Sequence, residues 1–146
     1  MYISHATREE IDEILPRVGD SLEEGSRGYY EVEQDKASRM MQEVLQKEDG
    51  QVLVVKEDSQ VVGWILYGQQ KDSFTGESIG FIYDLFVFEN YREQGFAEAL
   101  INKAMTDLKI QGMASVRLVV YAGNYAKNLY EKLGFTDNRT VMTKTL

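Results

Sequence analysis

Tyr91-Arg92-Glu93-Gln94-Gly95-Phe96-Ala97 is the stretch whose reading decides the fold. From its end onward Phe96, Ala97, Leu100, Ile101, Ala104, Met105 and Leu108 recur at helical spacing, and the stripe is predicted to stop near Gly112. Before it, Ile79 to Phe88 reads as a strand; after it, Val116 to Val120 is a nearly continuous apolar run, as expected of a strand covered on both faces. Strand, helix and strand in that order imply a right-handed parallel crossover. The quoted segment is then a strand-to-helix junction, where free N–H groups and the positive end of the helix dipole attract an anion. Gly95 lets the backbone come close, Ala97 keeps the next position small, and Arg92 can add a full charge at the rim. The same small residues equally suit a helix start packed against a sheet. No Gly-Lys-Ser/Thr follows, so the segment is not a P-loop.

Upstream, Tyr2 to Ala6 reads as a short strand. Thr7-Arg8-Glu9-Glu10 follows as a capping box, and Ile11, Ile14, Leu15 and Val18 continue a helix that Pro16 should kink or end. Gly19 to Gly28 is polar and punctuated by glycine, so it is predicted to be a loop. Ala37, Met40, Met41, Val44 and Leu45 mark one face of a second helix. Val52 to Lys56 and Val61 to Tyr67 are strands joined at Glu57-Asp58-Ser59-Gln60, and the turn around Asp72 to Gly76 leads into Ile79. This predicts an antiparallel meander preceding the crossover. Downstream, Ala126, Leu129, Tyr130 and Leu133 line a last helix stopped at Gly134, and Thr140 to Thr145 can supply a final strand. The expected architecture is α/β: a mixed, mostly antiparallel sheet flanked by about four helices, in one domain over 1–146.

Composition narrows the chemistry. With 43% hydrophobic and 27% charged residues the chain has the balance of a globular domain, and it has neither an apolar run long enough to span a membrane nor the N-terminal regions of a signal peptide. The cytoplasm is the expected location. There are no cysteines and a single histidine, His5, expected to be solvent-facing or satisfied, so thiolate and histidine-cluster metal sites are excluded. A net charge of -8 disfavours nucleic acid and suits a cationic partner, or simply solubility.

Leu85-Phe86-Val87, then Arg92-x-x-Gly95-x-Ala97, then Leu129-Tyr130-Glu131-Lys132-Leu133-Gly134-Phe135 together resemble the GNAT superfamily of N-acetyltransferases. Tyr83 to Val87 with Tyr91-Arg92 is locally similar to its polyamine-acetylating (spermidine/spermine) branch. The resemblance implies an acetyl-CoA-dependent enzyme that acetylates a primary amine, most simply a small cationic one, with no nucleic acid, membrane or metal involved and a homodimer left open. It implies that Leu85, Phe86 and Val87 lie along the pantetheine arm, and that the amides of Glu93, Gln94, Gly95, Phe96, Ala97 and Glu98 take the pyrophosphate, helped by Arg92 and Lys127. Tyr130 matches the residue that protonates the departing thiolate, although it also falls on the apolar stripe of its helix. A tyrosine, with an ordinary pKa near ~10, is protonated at neutral pH and available to donate.

Several positions depart from the family pattern. The strand glutamate used by some members is Phe81 here, leaving Asp84 or Tyr83 to act through water or to bind the acceptor. The usual asparagine aligns with Gly123, with Asn124 one place later, and Glu89 stands where proline is frequent. Thr136 to Arg139 is a short connection where many relatives have a longer hairpin. Tyr29, Tyr30 and Glu31 fall where the family commonly contacts the acceptor. Acceptors in protein lysines, N-termini or aminoglycosides stay open, and so does a non-catalytic acyl-CoA-binding module.

Overall fold

The structure is a computed structural model that describes residues 1–27, 33–47 and 49–146. Five strands form one sheet in the order β1 (Tyr2–His5), β2 (Gln51–Glu57), β3 (Gln60–Lys71), β4 (Ser78–Val87), β5 (Val116–Leu118). Neighbours are antiparallel through β4, and β4 pairs β5 in parallel, as the meander followed by a crossover requires. Among the described residues there are four helical runs. The first is α1 (Arg8–Ile14), a 3-10 turn at Leu15–Arg17 and α2 (Val18–Gly25); the others are α3 (Gln34–Lys47), α4 (Phe96–Ile110) and α5 (Ala126–Lys132).

The local signals explain most of these elements. Thr7 Oγ1 accepts from the Glu10 N–H while Glu10 Oε1 accepts from the Thr7 N–H, so the capping box forms in full, and Lys56 adds an ion pair to Glu10 at 2.6 Å. Pro16 bends the run into its 3-10 turn without ending it. The expected loop from Gly19 is instead α2. A helical glycine costs about 1 kcal/mol relative to alanine, but burying a valine such as Val18 stabilises by about 2 kcal/mol, and Ser21 makes a buried side-chain bond to β4. In α3, Ala37 and Met41 are buried, whereas Met40, expected on the same face, is exposed. His5 is also largely exposed.

Two apolar layers cover the sheet. Ile14, Leu15, Val18 and Met41 pack on Val52, Val54, Trp64 and Leu66; on the other face Phe96, Leu100, Ile101, Ala104 and Leu108 pack on Leu53, Ile65, Tyr67 and Ile82. Tyr67, fully buried, donates its hydroxyl to Asp107 at 2.6 Å and so ties α4 to β3. Two expectations at the far edge fail. The run Val116 to Val120 is a strand only over Val116–Leu118 and half-buried: among the described residues β5 is the last strand of the sheet, and Val119 is 69% exposed. Thr140 to Thr145 form no strand, and Val141 and Met142 stand in solvent.

Candidate active site

β4 and β5 pair only from Gly80 to Ile82 on β4, because β5 ends at Leu118. Just past that point β4 carries a bulge: Leu66 faces Asp84 while Tyr67 faces Ile82, so Tyr83 is the extra residue. Phe88 donates its N–H to Val62 of β3, and antiparallel alternation then turns the backbone groups of Leu85 and Val87 to the open side. Arg92 Nε donates to the Val87 carbonyl at 2.7 Å. The C=O of Leu85 and the N–H of Val87 are therefore the polar groups on the side of β4 away from β3, while the Leu85 N–H is engaged by the Asp84 carboxylate.

The chain leaves β4 through a 3-10 turn at Glu89–Tyr91 and enters α4 at Gly95. Glu93 (φ 61°) and Gly95 (φ 84°) both sit in the left-handed region, which glycine occupies freely and glutamate at a cost. No side chain caps α4, and a Cβ built on Gly95 would meet nothing within 4 Å. The first-turn amides of α4, which have no intrahelical acceptors, thus face open space. A polyanion fits there, because it would supply the missing acceptors and complement the helix dipole.

Arg92 is placed differently from the rim position expected of it. Its guanidinium forks onto the Glu24 carboxylate of α2 at 2.6 and 3.2 Å and lies 5.3 Å from the centre of the Phe86 ring, and Glu24 raises its pKa. Lys127 pairs with Asp137 at 3.0 Å. Both side-chain cations expected at the α4 entrance are thus paired within the protein, while the first-turn amides carry the positive end of the helix dipole.

Tyr130 projects from α5, whose end determines where its ring goes. Phe135 donates its N–H to the Tyr130 carbonyl and Gly134 its own to Glu131, a Schellman closure with Gly134 at φ 96°. That motif brings the residue after the glycine against the one a turn back, and the Tyr130 and Phe135 rings do meet edge to face at 6.0 Å. The Leu-Gly-Phe sequence is thus the device that sets the tyrosine. Burial, and then the charge of Asp84, push the phenol above its ordinary pKa, so it is protonated at neutral pH.

Asp84 faces the helical layer, enclosed by α2 and β3. Ser21 Oγ donates to it at 2.6 Å and Trp64 Nε1 at 2.7 Å. Burial pushes its carboxyl up to about 6, against the pull of those bonds and of the Leu85 amide. Tyr83 stacks against Phe81 at 4.9 Å. Asn124 donates to the Gly25 carbonyl at the end of α2 and accepts from the Ala126 N–H, so it both caps α5 and joins α2 to the loop before α5. Arg27 donates to the Gly123 carbonyl beside it. These ties join α2 to β4, to Arg92 and to the loop before α5; sequence reading missed Glu24, Ser21 and Trp64 because their partners are distant in the chain. Tyr29, Tyr30 and Glu31 lie outside the described residues.

Residues 18–135 match the model of the Acetyltransferase (GNAT) family, and the chain belongs to that family. The uncharacterized N-acetyltransferase YycN of Bacillus subtilis is 31% identical over 90 residues, which cover 61% of this chain and 56% of that protein. The [ribosomal protein bS18]-alanine N-acetyltransferase of Haemophilus influenzae is 28% identical over 81 residues, covering 56% of this chain and 51% of that one. The matches thus span about half the length of these curated relatives. A solved Pyrococcus furiosus protein shares the fold with a TM-score of 0.82 and 24% identity, each chain covered to 99%.

Proposed function

We propose that the protein transfers an acetyl group from acetyl-CoA to a primary amine, with Tyr130 as general acid. The observation that supports this reading is the end of β5 pairing at Ile82, which leaves β4 unpaired on that side up to the uncapped start of α4 at Gly95, with a protonated Tyr130 packed on the same apolar cluster as Leu85 and Phe96. The pyrophosphate takes the amides from Glu93 to Glu98, and the pantetheine arm lies along Leu85 to Val87. The Val87 N–H then strengthens its hold as the thioester carbonyl oxygen gains charge. The neutral amine nitrogen attacks the carbonyl carbon, the carbon–sulfur bond breaks as the phenol proton passes to the leaving thiolate, and the proton lost by the acylated nitrogen returns through solvent to the phenolate, so that amide, free thiol and neutral Tyr130 result.

An amine of pKa ~10.4 is deprotonated at pH 7 in only a small fraction, a handicap of roughly 4.6 kcal/mol. With phenylalanine at position 81 and Asp84 held by Ser21 and Trp64, water carries that proton away. Asp20 and Glu23 of α2, together with the net charge of -8, favour a small cationic acceptor such as a polyamine. A second acceptor class, the α-amine of a protein N-terminus, is favoured by the Haemophilus relative, whose name assigns it an alanine of a ribosomal protein. The test is thiol release from acetyl-CoA across polyamines, aminoglycosides and peptides with free N-termini. A polyamine is expected to be the best acceptor; release with the peptides alone would move the assignment to protein N-termini, and none with any amine would leave a non-catalytic acyl-CoA-binding module.

A further inference from the structure

All the guanidinium nitrogens of Arg92 are engaged inside the protein. Nε donates to the Val87 carbonyl at 2.7 Å, while Nη1 and Nη2 fork onto the two Glu24 oxygens at 2.6 and 3.2 Å. A planar guanidinium suits this task, because one rigid fork holds a carbonyl on one edge and a carboxylate on another. An ion pair between half-exposed side chains ordinarily contributes little, since two long chains must be ordered to make it. Here other bonds supply the order. Just before Glu24, Ser21 donates to the buried Asp84 of β4 at 2.6 Å; just after it, the Gly25 carbonyl accepts from Asn124 at 3.0 Å, and Asn124 also accepts from the Ala126 N–H at the start of α5. The end of α2 is therefore fixed on either side of Glu24, and the carboxylate meets Arg92 from a backbone already held in place.

What the pair holds is the turn between β4 and α4. Backbone bonds bracket that turn, Arg92 N–H to the Glu89 carbonyl at a long 3.3 Å and Ala99 N–H to the Gly95 carbonyl at 3.1 Å. Between them the chain passes through Glu93 at φ 61° and Gly95 at φ 84°. A left-handed glutamate is strained, and such a conformation persists only where its surroundings hold it. The Arg92 side chain, closed back on Val87, ties the entry of the turn to the end of the strand, so the amides that follow keep one direction.

We infer that Glu24 is a positioning residue: acting through Arg92, it fixes the turn from Arg92 to Gly95 and so sets how tightly that turn holds the CoA pyrophosphate. This rests on the placement of the pyrophosphate proposed above. Glu24 then touches neither donor nor acceptor. Coulomb's law alone makes the opposite forecast, since removing a negative charge near the site should tighten a polyanion. The sign of the change decides between the two.

The experiment is calorimetry of the full chain with CoA, which needs no acceptor and reads the same in an enzyme or a binding module. Glu24→Gln should raise the dissociation constant about tenfold, as expected when a charge-assisted fork is lost. Glu24→Asp keeps the charge but shortens the reach, and should weaken CoA in the same direction; it also serves if the glutamine variant folds poorly. In an Arg92→Met background Glu24→Gln should add no further change, because its route to the turn is already gone. With the amine that thiol release ranks first, the glutamine variant should raise KM for acetyl-CoA and leave KM for the amine as it was. A dissociation constant that is unchanged or lower, an effect that persists in the Arg92→Met background, or a rise confined to the amine overturns the proposal. A wild-type chain that binds no CoA overturns the donor placement itself, and this inference with it.

Discussion

Tyr130 is a small residue target with a clean reading, because its hydroxyl can be removed without changing the packing of its ring on Phe135. General acid catalysis is worth about 100-fold or more, so Tyr130→Phe should lower turnover by about that factor while melting temperature and CoA affinity stay nearly constant. Full turnover would return Tyr130 to the core. Asp84 makes a prediction about stability. Its carboxyl is raised in the folded state from 3.8 to about 6, so the folded state holds its proton more tightly than the unfolded chain. The stability this lends is fully present below pH ~4 and lost as pH rises through ~6, a change of about 3 kcal/mol at most. Asp84→Asn keeps an acceptor for Trp64 and can donate to Ser21, so its urea midpoint should change little over that window, where the wild type declines. An equal decline in both would place the titration elsewhere.

At the scale of elements, the junction of β4 with α4 does the binding proposed here, and Gly95 is its weak point. Alanine fits the open space at Gly95 but not readily its φ of 84°, at a cost of about 1 kcal/mol. Gly95→Ala should therefore melt a few degrees lower, and its CoA dissociation constant, by calorimetry, should rise about tenfold because the methyl group stands where the phosphates approach. An unchanged dissociation constant in the folded variant would remove the pyrophosphate from this turn. The helix itself was legible in its apolar stripe, since periodicity reports a buried face directly. α2 was not, because what holds Val18 to Gly25 helical is Ser21 on Asp84 and Gln34 beside Asp20, contacts with residues well away in sequence.

For the molecule as a whole, a net charge of -8 raises the local concentration of a cationic amine and lowers that of the polyanionic donor. Raising ionic strength from about 50 to about 300 mM should therefore lower kcat/KM for a cationic amine about threefold, since screening shortens the reach of the acidic surface. If this ratio is flat with salt, the acceptor is chosen by contacts and not by the field. Arg92 shows the same competition at close range: the sequence offers a cation to the phosphates, and the fold spends it on Glu24 and the Val87 carbonyl.

By itself the sequence determined the meander, the crossover, the α4 start at Gly95 and the closure of α5 at Gly134, because periodicity, capping and glycine punctuation are local and act within a few residues. It placed Tyr130 on the helix that follows this crossover for the same reason. Only the tertiary structure decided that Asp84 is enclosed by Ser21 and Trp64, that Asn124 holds α2, and that Thr140 to Thr145 stay unpaired. Each of these turns on which groups distant in the chain meet or fail to meet, and that is not written in any local pattern.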